Sequence, residues 1–131
     1  MSFWTDFLID KRKICSIYTD ELPSLDCVDI HEILFHRDGP KVTLRFNFKL
    51  YPNNPPKKWV GQNFNTVQAQ LTLLDIKDVN LKGWTGTSYI ADIKIGKNNG
   101  LINLNIESKK LSLNIESSFL DITSISAYYI K

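Results

Sequence analysis

Six side chains able to do acid–base or nucleophilic chemistry fall within twelve residues: Cys27, Asp29, His31, Glu32, His36 and Asp38. On an extended strand Cys27, Asp29 and His31 project from one face. A thiol, a carboxylate and an imidazole in that order could be written as nucleophile, orienting acid and general base. The spacing works against this. Same-face neighbours on one strand stand about 7 Å apart, whereas a nucleophile and its base must approach to about 3 Å, and His31 and His36 are the only histidines. A packed cysteine beside ordinary strand polar residues explains the pattern better than a thiol hydrolase built on Cys27 and His31, which ranks last among the functional readings. His31 and His36 lie on opposite faces of a strand and do not converge on a metal. Cys15 and Cys27 form neither a disulfide framework nor a CxxC pattern, and no glycine-rich phosphate cradle occurs. The sequence therefore leads us to expect no catalytic residue, no cofactor and no metal ligand.

The elements that would position such groups begin with a chain of 131 residues, 43% hydrophobic and 23% charged. That length and balance fit one domain over residues 1–131 with a core of its own, and exclude disordered and coiled-coil classes. The first ten residues carry Asp6 within their apolar stretch and their basic residues follow it, the reverse of a secretory signal. No apolar run approaches the roughly 20 residues of a membrane-spanning helix. A cytoplasmic location without membrane association is expected. Residues 1–38 hold eight acidic and four basic side chains, the remainder six acidic and twelve basic. Because the basic residues are scattered singly along strands, a nucleic-acid partner is disfavoured, while the acidic first third could meet a basic protein.

Helical spacing of Phe3, Trp4, Phe7, Leu8, Ile14, Ile17 and Tyr18 predicts one amphipathic helix over residues 2–19, with Ser2 as its cap and a break near Asp10. The remainder reads as strands. Asp38-Gly39 predicts a two-residue type I′ hairpin turn that pairs Phe35 with Val42, Ile33 with Leu44, His31 with Phe46 and Glu32 with Arg45. Val42, Leu44, Phe46, Phe48 and Leu50 alternate with polar residues, so one face of that strand is buried. Residues 66–76, 78–84 and 87–95 read as further strands, with a bend at Gly83, Trp84 and Gly86 and a turn at residues 96–100. The segment LNIES at residues 104–108 returns at residues 113–117. This suits a hairpin with Glu107 opposite Lys110, Ile106 beside Leu111, Leu104 beside Leu113 and Ile102 beside Ile115. Residues 119–130 form a last strand. The expected fold is mainly β (α+β), an antiparallel β-sandwich or a strongly curved open sheet of about seven to eight strands with one N-terminal helix.

Residues 51–65, YPNNPPKKWVGQNFN, are too long and too rich in proline, glycine and asparagine for a plain connector. Trp59 there and Trp84 in the glycine-marked bend are lids over the core or anchors for a ligand. A small-ligand or carbohydrate-binding β module using Trp59 or Trp84 is one functional reading.

A second rests on a pattern along nearly the whole chain. The N-terminal segment with Trp4, the strand VTLRFNFKLYP, the PPKKW element, the LKGW element at residues 81–84 and Ala127-Tyr128 together resemble the immunity protein 50 family of bacterial polymorphic-toxin systems. The resemblance implies a cytoplasmic bacterial protein that neutralises a cognate toxin protein by binding it, with neither cofactor nor catalysis. It further implies that the shared elements, Pro55, Pro56, Trp59, Gly83 and Trp84, maintain the fold. Partner contacts are then expected elsewhere, at Asp20, Glu21, Asp26 and Asp29 in the acidic third and at Asn53, Asn54, Lys57 and Lys58 on the loop, with Trp59 anchoring the loop to the sheet.

Overall fold

A computed structural model of the chain describes residues 3–131. Its strands are β1 (Val28–His36), β2 (Lys41–Asn47), β3 (Thr66–Gly83), β4 (Ile90–Ala91), β5 (Ile93–Asn98), β6 (Leu101–Glu107) and β7 (Leu111–Tyr128). All seven form one antiparallel sheet in the order β4-β1-β2-β3-β7-β6-β5. Of the two expected architectures the curved sheet is the one present. β3 and β7 are each 18 residues long and pair along their whole length, with register shifts at residues 70–71 and 76–78. Such bulges increase twist and bend a strand without ending its pairing. The N-terminal half of β3 lies beside β2, and the N-terminal half of β7 lies beside β6. The two halves of the sheet thus share a long bent ribbon, and the inside of the bend is the core. Phe46, Leu44, Leu71, Leu73, Leu104 and Leu113 are fully buried there, each worth about 1.5–3 kcal/mol relative to exposure.

Several expectations are corrected. The predicted N-terminal helix is a 3-10 turn, Trp4–Phe7, and one short α-helix, α1 (Arg12–Ile17), separated where a break was expected. Between them Leu8 is extended and pairs with Leu120, and the Ile9 N–H donates to the Leu120 carbonyl at 2.9 Å. Pairing with the sheet has overridden helical spacing, and Asp10 then restarts the chain by accepting the Arg12 N–H at 2.9 Å. The proposed Ser2 cap lies outside the described residues. Residues 66–83, expected as two strands, are one. Residues 87–95, expected as one strand, contribute instead to β4 and β5 at opposite ends of the sheet.

The first hairpin has the predicted pairs Phe35–Val42, Ile33–Leu44 and Glu32–Arg45, but Ile30 and not His31 faces Phe46. A bulge at His31 turns the imidazole to the surface and brings Ile30, 3% exposed, into the core. Burying an imidazole against Phe46 would leave it to find hydrogen bonds in an apolar setting. The turn spans residues 37–40, and of its residues only Gly39 has positive φ, so it is not type I′. In the β6–β7 hairpin Glu107 faces Ser112, Ile106 faces Leu113 and Leu104 faces Ile115, two residues on from the expected register. Ser108 fixes this register: its N–H donates to the Leu111 carbonyl at 2.8 Å, and its Oγ accepts the Leu111 N–H at 3.1 Å. The shift is even, so the inward face is unchanged.

Candidate functional site

The carboxylate of Asp29 and the imidazole of His31 come together, but the Cys27 thiol does not join them. Cys27 precedes β1 with φ 53 and is exposed, and its backbone N–H is held by Asp92 Oδ1 at 2.8 Å. His31 Nε2 lies 3.3 Å from Asp29 Oδ2 and 3.1 Å from Asn47 Nδ2. No hydrogen bond links the Cys27 sulfur to His31 among the described residues. Asp29 and His31 keep their same-face relationship, opposite the inward Ile30, and the set is broken at Cys27, which has left the strand conformation. Nor do three His, Cys, Asp or Glu side chains among the described residues converge as metal ligands would.

The loop of residues 51–65 has a definite internal structure. Pro55 and Pro56 lead into a 3-10 turn, Lys57–Trp59, closed by the Trp59 N–H donating to the Pro56 carbonyl at 2.9 Å. Proline suits the start of such a turn because its missing N–H would have no partner there. Trp59 is 8% exposed, and its ring lies 6.4 Å from that of Tyr51. The indole is packed down beside Tyr51, with little of its surface exposed. Asn53, Lys57 and Lys58 are exposed around it. Asn54, also exposed, donates from Nδ2 to Asp20 Oδ2 at 2.6 Å, which ties the loop to the turn after α1.

Asp20 and Glu21 thus border the loop. Asp26 lies in the turn before β1, and the half-buried Asp29 is in β1 itself, where it faces Asn47 on one side and Ile90 on the other. Trp84, with φ 68, is 36% exposed and stacks on Tyr89 at 4.2 Å with 9° between the rings. With Asp29 and His31 this pair lines a shallow cleft. The Tyr89 hydroxyl accepts the Gly86 N–H at 2.6 Å and so fixes the bend.

A further concavity lies beside the proline loop. It has a volume of about 880 Å³, with residues 123–127 of β7 on one side and α1 and the PPKKW element as its other walls. Lys13 and Lys58 are the charged residues of its lining, and Ile17, Trp59, Phe64 and Ile125 supply apolar surface. Sequence reasoning selected only Pro56, Lys58 and Trp59 of its lining. A signal for the rest exists in residues 122–130, ITSISAYYI, nine uncharged residues between Asp121 and Lys131. No helix among the described residues is long and apolar enough to cross a membrane.

Comparison with known proteins gives one match. The family model described as Immunity protein 50 matches residues 10–128. No curated protein and no solved structure matches.

Proposed function

The chain belongs to the immunity protein 50 family, and from that membership we propose that it binds a cognate bacterial toxin domain and neutralises it by stoichiometric protein–protein contact. The family match over residues 10–128 carries this reading. The setting it implies is a polymorphic-toxin system, with the protein acting in the cytoplasm of the cell that makes it. Neutralisation by occlusion needs a rigid, shaped surface and no reacting group. The bent sheet can supply one, since its loops are held by specific contacts such as Asn54 to Asp20 and Tyr51 to Trp59. The surface we assign to the toxin includes Asn53, Asn54, Lys57 and Lys58 together with Asp20 and Glu21, which the Asn54–Asp20 bond brings side by side. Asp26, in the turn before β1, and Asp29, within it, form a separate acidic element.

Co-expression with the toxin domain encoded beside this chain tests the reading. Growth should be restored, and the two chains should elute as one complex. Undiminished toxicity in cells that make the chain in soluble form would sink it.

The exposed Trp84, stacked on the buried Tyr89, favours a second reading, a sugar or nucleobase stacking on the indole beside Asp29 and His31. Trp59 cannot share that role while buried. A flat tryptophan fluorescence titration across saccharides and nucleotides would dismiss it.

A further inference from the structure

Resting on the toxin-binding reading, we infer that the C-terminal half of β7 is a docking edge for an extended segment of the toxin, which adds to the sheet as an eighth strand. The backbone pattern is the first ground. In an antiparallel ladder, residues alternate between turning N–H and C=O toward one neighbour and toward the other side. The Val67 carbonyl accepts from Phe48 on the β2 side, while the Tyr128 carbonyl accepts from Asn65 on the β3 side. Ala127 opposite Val67, Ile125 opposite Ala69 and Ile122 opposite Leu71 therefore turn their backbone groups away from β3. On that side they have no hydrogen-bond partner among the described residues.

The edge is also shown to accept an extended segment. The chain's own residues 8–9 pair with it at Leu120, in parallel, and the Asp10 N–H reaches Asp121 Oδ1 at 3.3 Å before the chain turns away into α1. The open length begins where that segment leaves and runs into the groove between α1 and the PPKKW element.

The two edges of the ribbon are protected differently. The C-terminal half of β3, likewise without β2 beside it, carries Lys77, Asp78 and Lys82. Charged side chains, lysine above all, are the usual means of keeping foreign strands off an edge. The β7 edge has no charge from Ile122 to Ile130. Its exposed Thr123 and Ser126 would not hinder an incoming backbone. Lys13 and Lys58 on the walls, with no carboxylate in the lining, select an occupant that carries an acidic side chain.

Hydrogen exchange on the free chain and on its complex with the inactivated adjacent toxin domain tests this. The amides of Ile122, Ile125 and Ala127 should slow by roughly tenfold or more in the complex. Ala127→Pro removes an outward N–H without removing a bond to β3. It should weaken Kd about 100-fold while leaving the melting temperature nearly unchanged, as expected when interchain hydrogen bonds and close strand approach are lost. A complex without protection of these amides overturns the inference and leaves neutralisation standing, as does a folded Ala127→Pro chain of full affinity. Should Ala127→Pro not fold, the exchange result on the unaltered chain decides. Protection of the same amides in a dimer of the free chain makes a second copy the occupant and overturns the toxin strand. Absence of any complex overturns both readings.

Discussion

Ala91 and Ile93, with only Asp92 between them, belong to the two opposite outer strands of the sheet. Two residues so close in sequence lie within about 7 Å, so the sheet must curl until its edges meet at this point. Asp92 secures the seam by accepting the Cys27 N–H at 2.8 Å, beside the Ile93 N–H donating to the Leu25 carbonyl at 2.9 Å. Asp92→Ala should cost about 1–2 kcal/mol in denaturant unfolding, and Asp92→Asn, which keeps an acceptor, about half as much. Equal stability of Asp92→Ala and the unaltered chain would show that the Asp92–Cys27 bond adds nothing to the closure of the seam.

Gly83 has φ 99, and a Cβ there would run into the Lys110 carbonyl. Gly83→Ala therefore meets both an unfavourable backbone region and a rigid neighbour, and should destabilise by more than about 1 kcal/mol. Gly61, also at positive φ but with open space around it, should respond less to the same change. Thermal melts of the two variants make the comparison.

What the sequence made legible follows from which interactions are local. Alternation along Val42, Leu44 and Phe46 identified a buried face, and all three are buried. Asn99 and Gly100, both at positive φ, form the turn that their residue types announced. The breaks near residues 77 and 118 looked like strand ends because a bulge and a turn place similar residues in the chain. Only pairing across the sheet distinguishes them, and pairing is a long-range property. The same holds for residues 8–9, whose helical spacing yields to a bond with Leu120. Of the candidate surface, the PPKKW loop was visible through its special residues. The groove was not, because residues 123–127 become a site only when α1 and the loop are placed beside them.

Trp59 and Lys58 are neighbours with opposite expected roles. Trp59→Ala removes a buried indole and should lower stability by about 3–5 kcal/mol. Lys58→Glu, at an exposed position on the groove wall, should leave the melting temperature within about a degree and weaken toxin binding. Calorimetry on both variants, with isothermal titration on Lys58→Glu, separates fold from contact. A Lys58→Glu chain with full affinity would remove that wall from the interface.

The Arg12 side chain and N–H beside Asp10 hold its carboxyl down at about pKa 2. A carboxylate with a depressed folded-state pKa contributes stability at pH values above its unfolded pKa, near 3.8. That contribution declines as pH falls below this value and is lost on passing through about 2. The ion pair is exposed, so salt will screen it. Asp10→Ala should lower the thermal midpoint at pH 7 and converge with the unaltered chain near pH 2. A difference that persists undiminished at pH 2 would assign the effect to packing.

The acidic first third and the cationic groove predict different kinetics for the same complex. Long-range charge acts on the encounter step, and its reach falls from about 10 Å at 0.1 M salt to about 3 Å at 1 M. If Glu21, Asp26 and Asp29 steer a basic toxin surface, their replacement by lysine should slow association roughly tenfold at low salt, with the difference vanishing at high salt and dissociation unchanged. Asp20 is left out of that set because it also accepts the bond from Asn54. Asp20→Asn isolates its charge while keeping an acceptor in place. Lys13→Glu with Lys58→Glu acts at the docked groove and should raise the dissociation rate instead. Stopped-flow traces at two ionic strengths distinguish the cases, and association unaffected by the acidic substitutions at low salt would exclude steering by that patch.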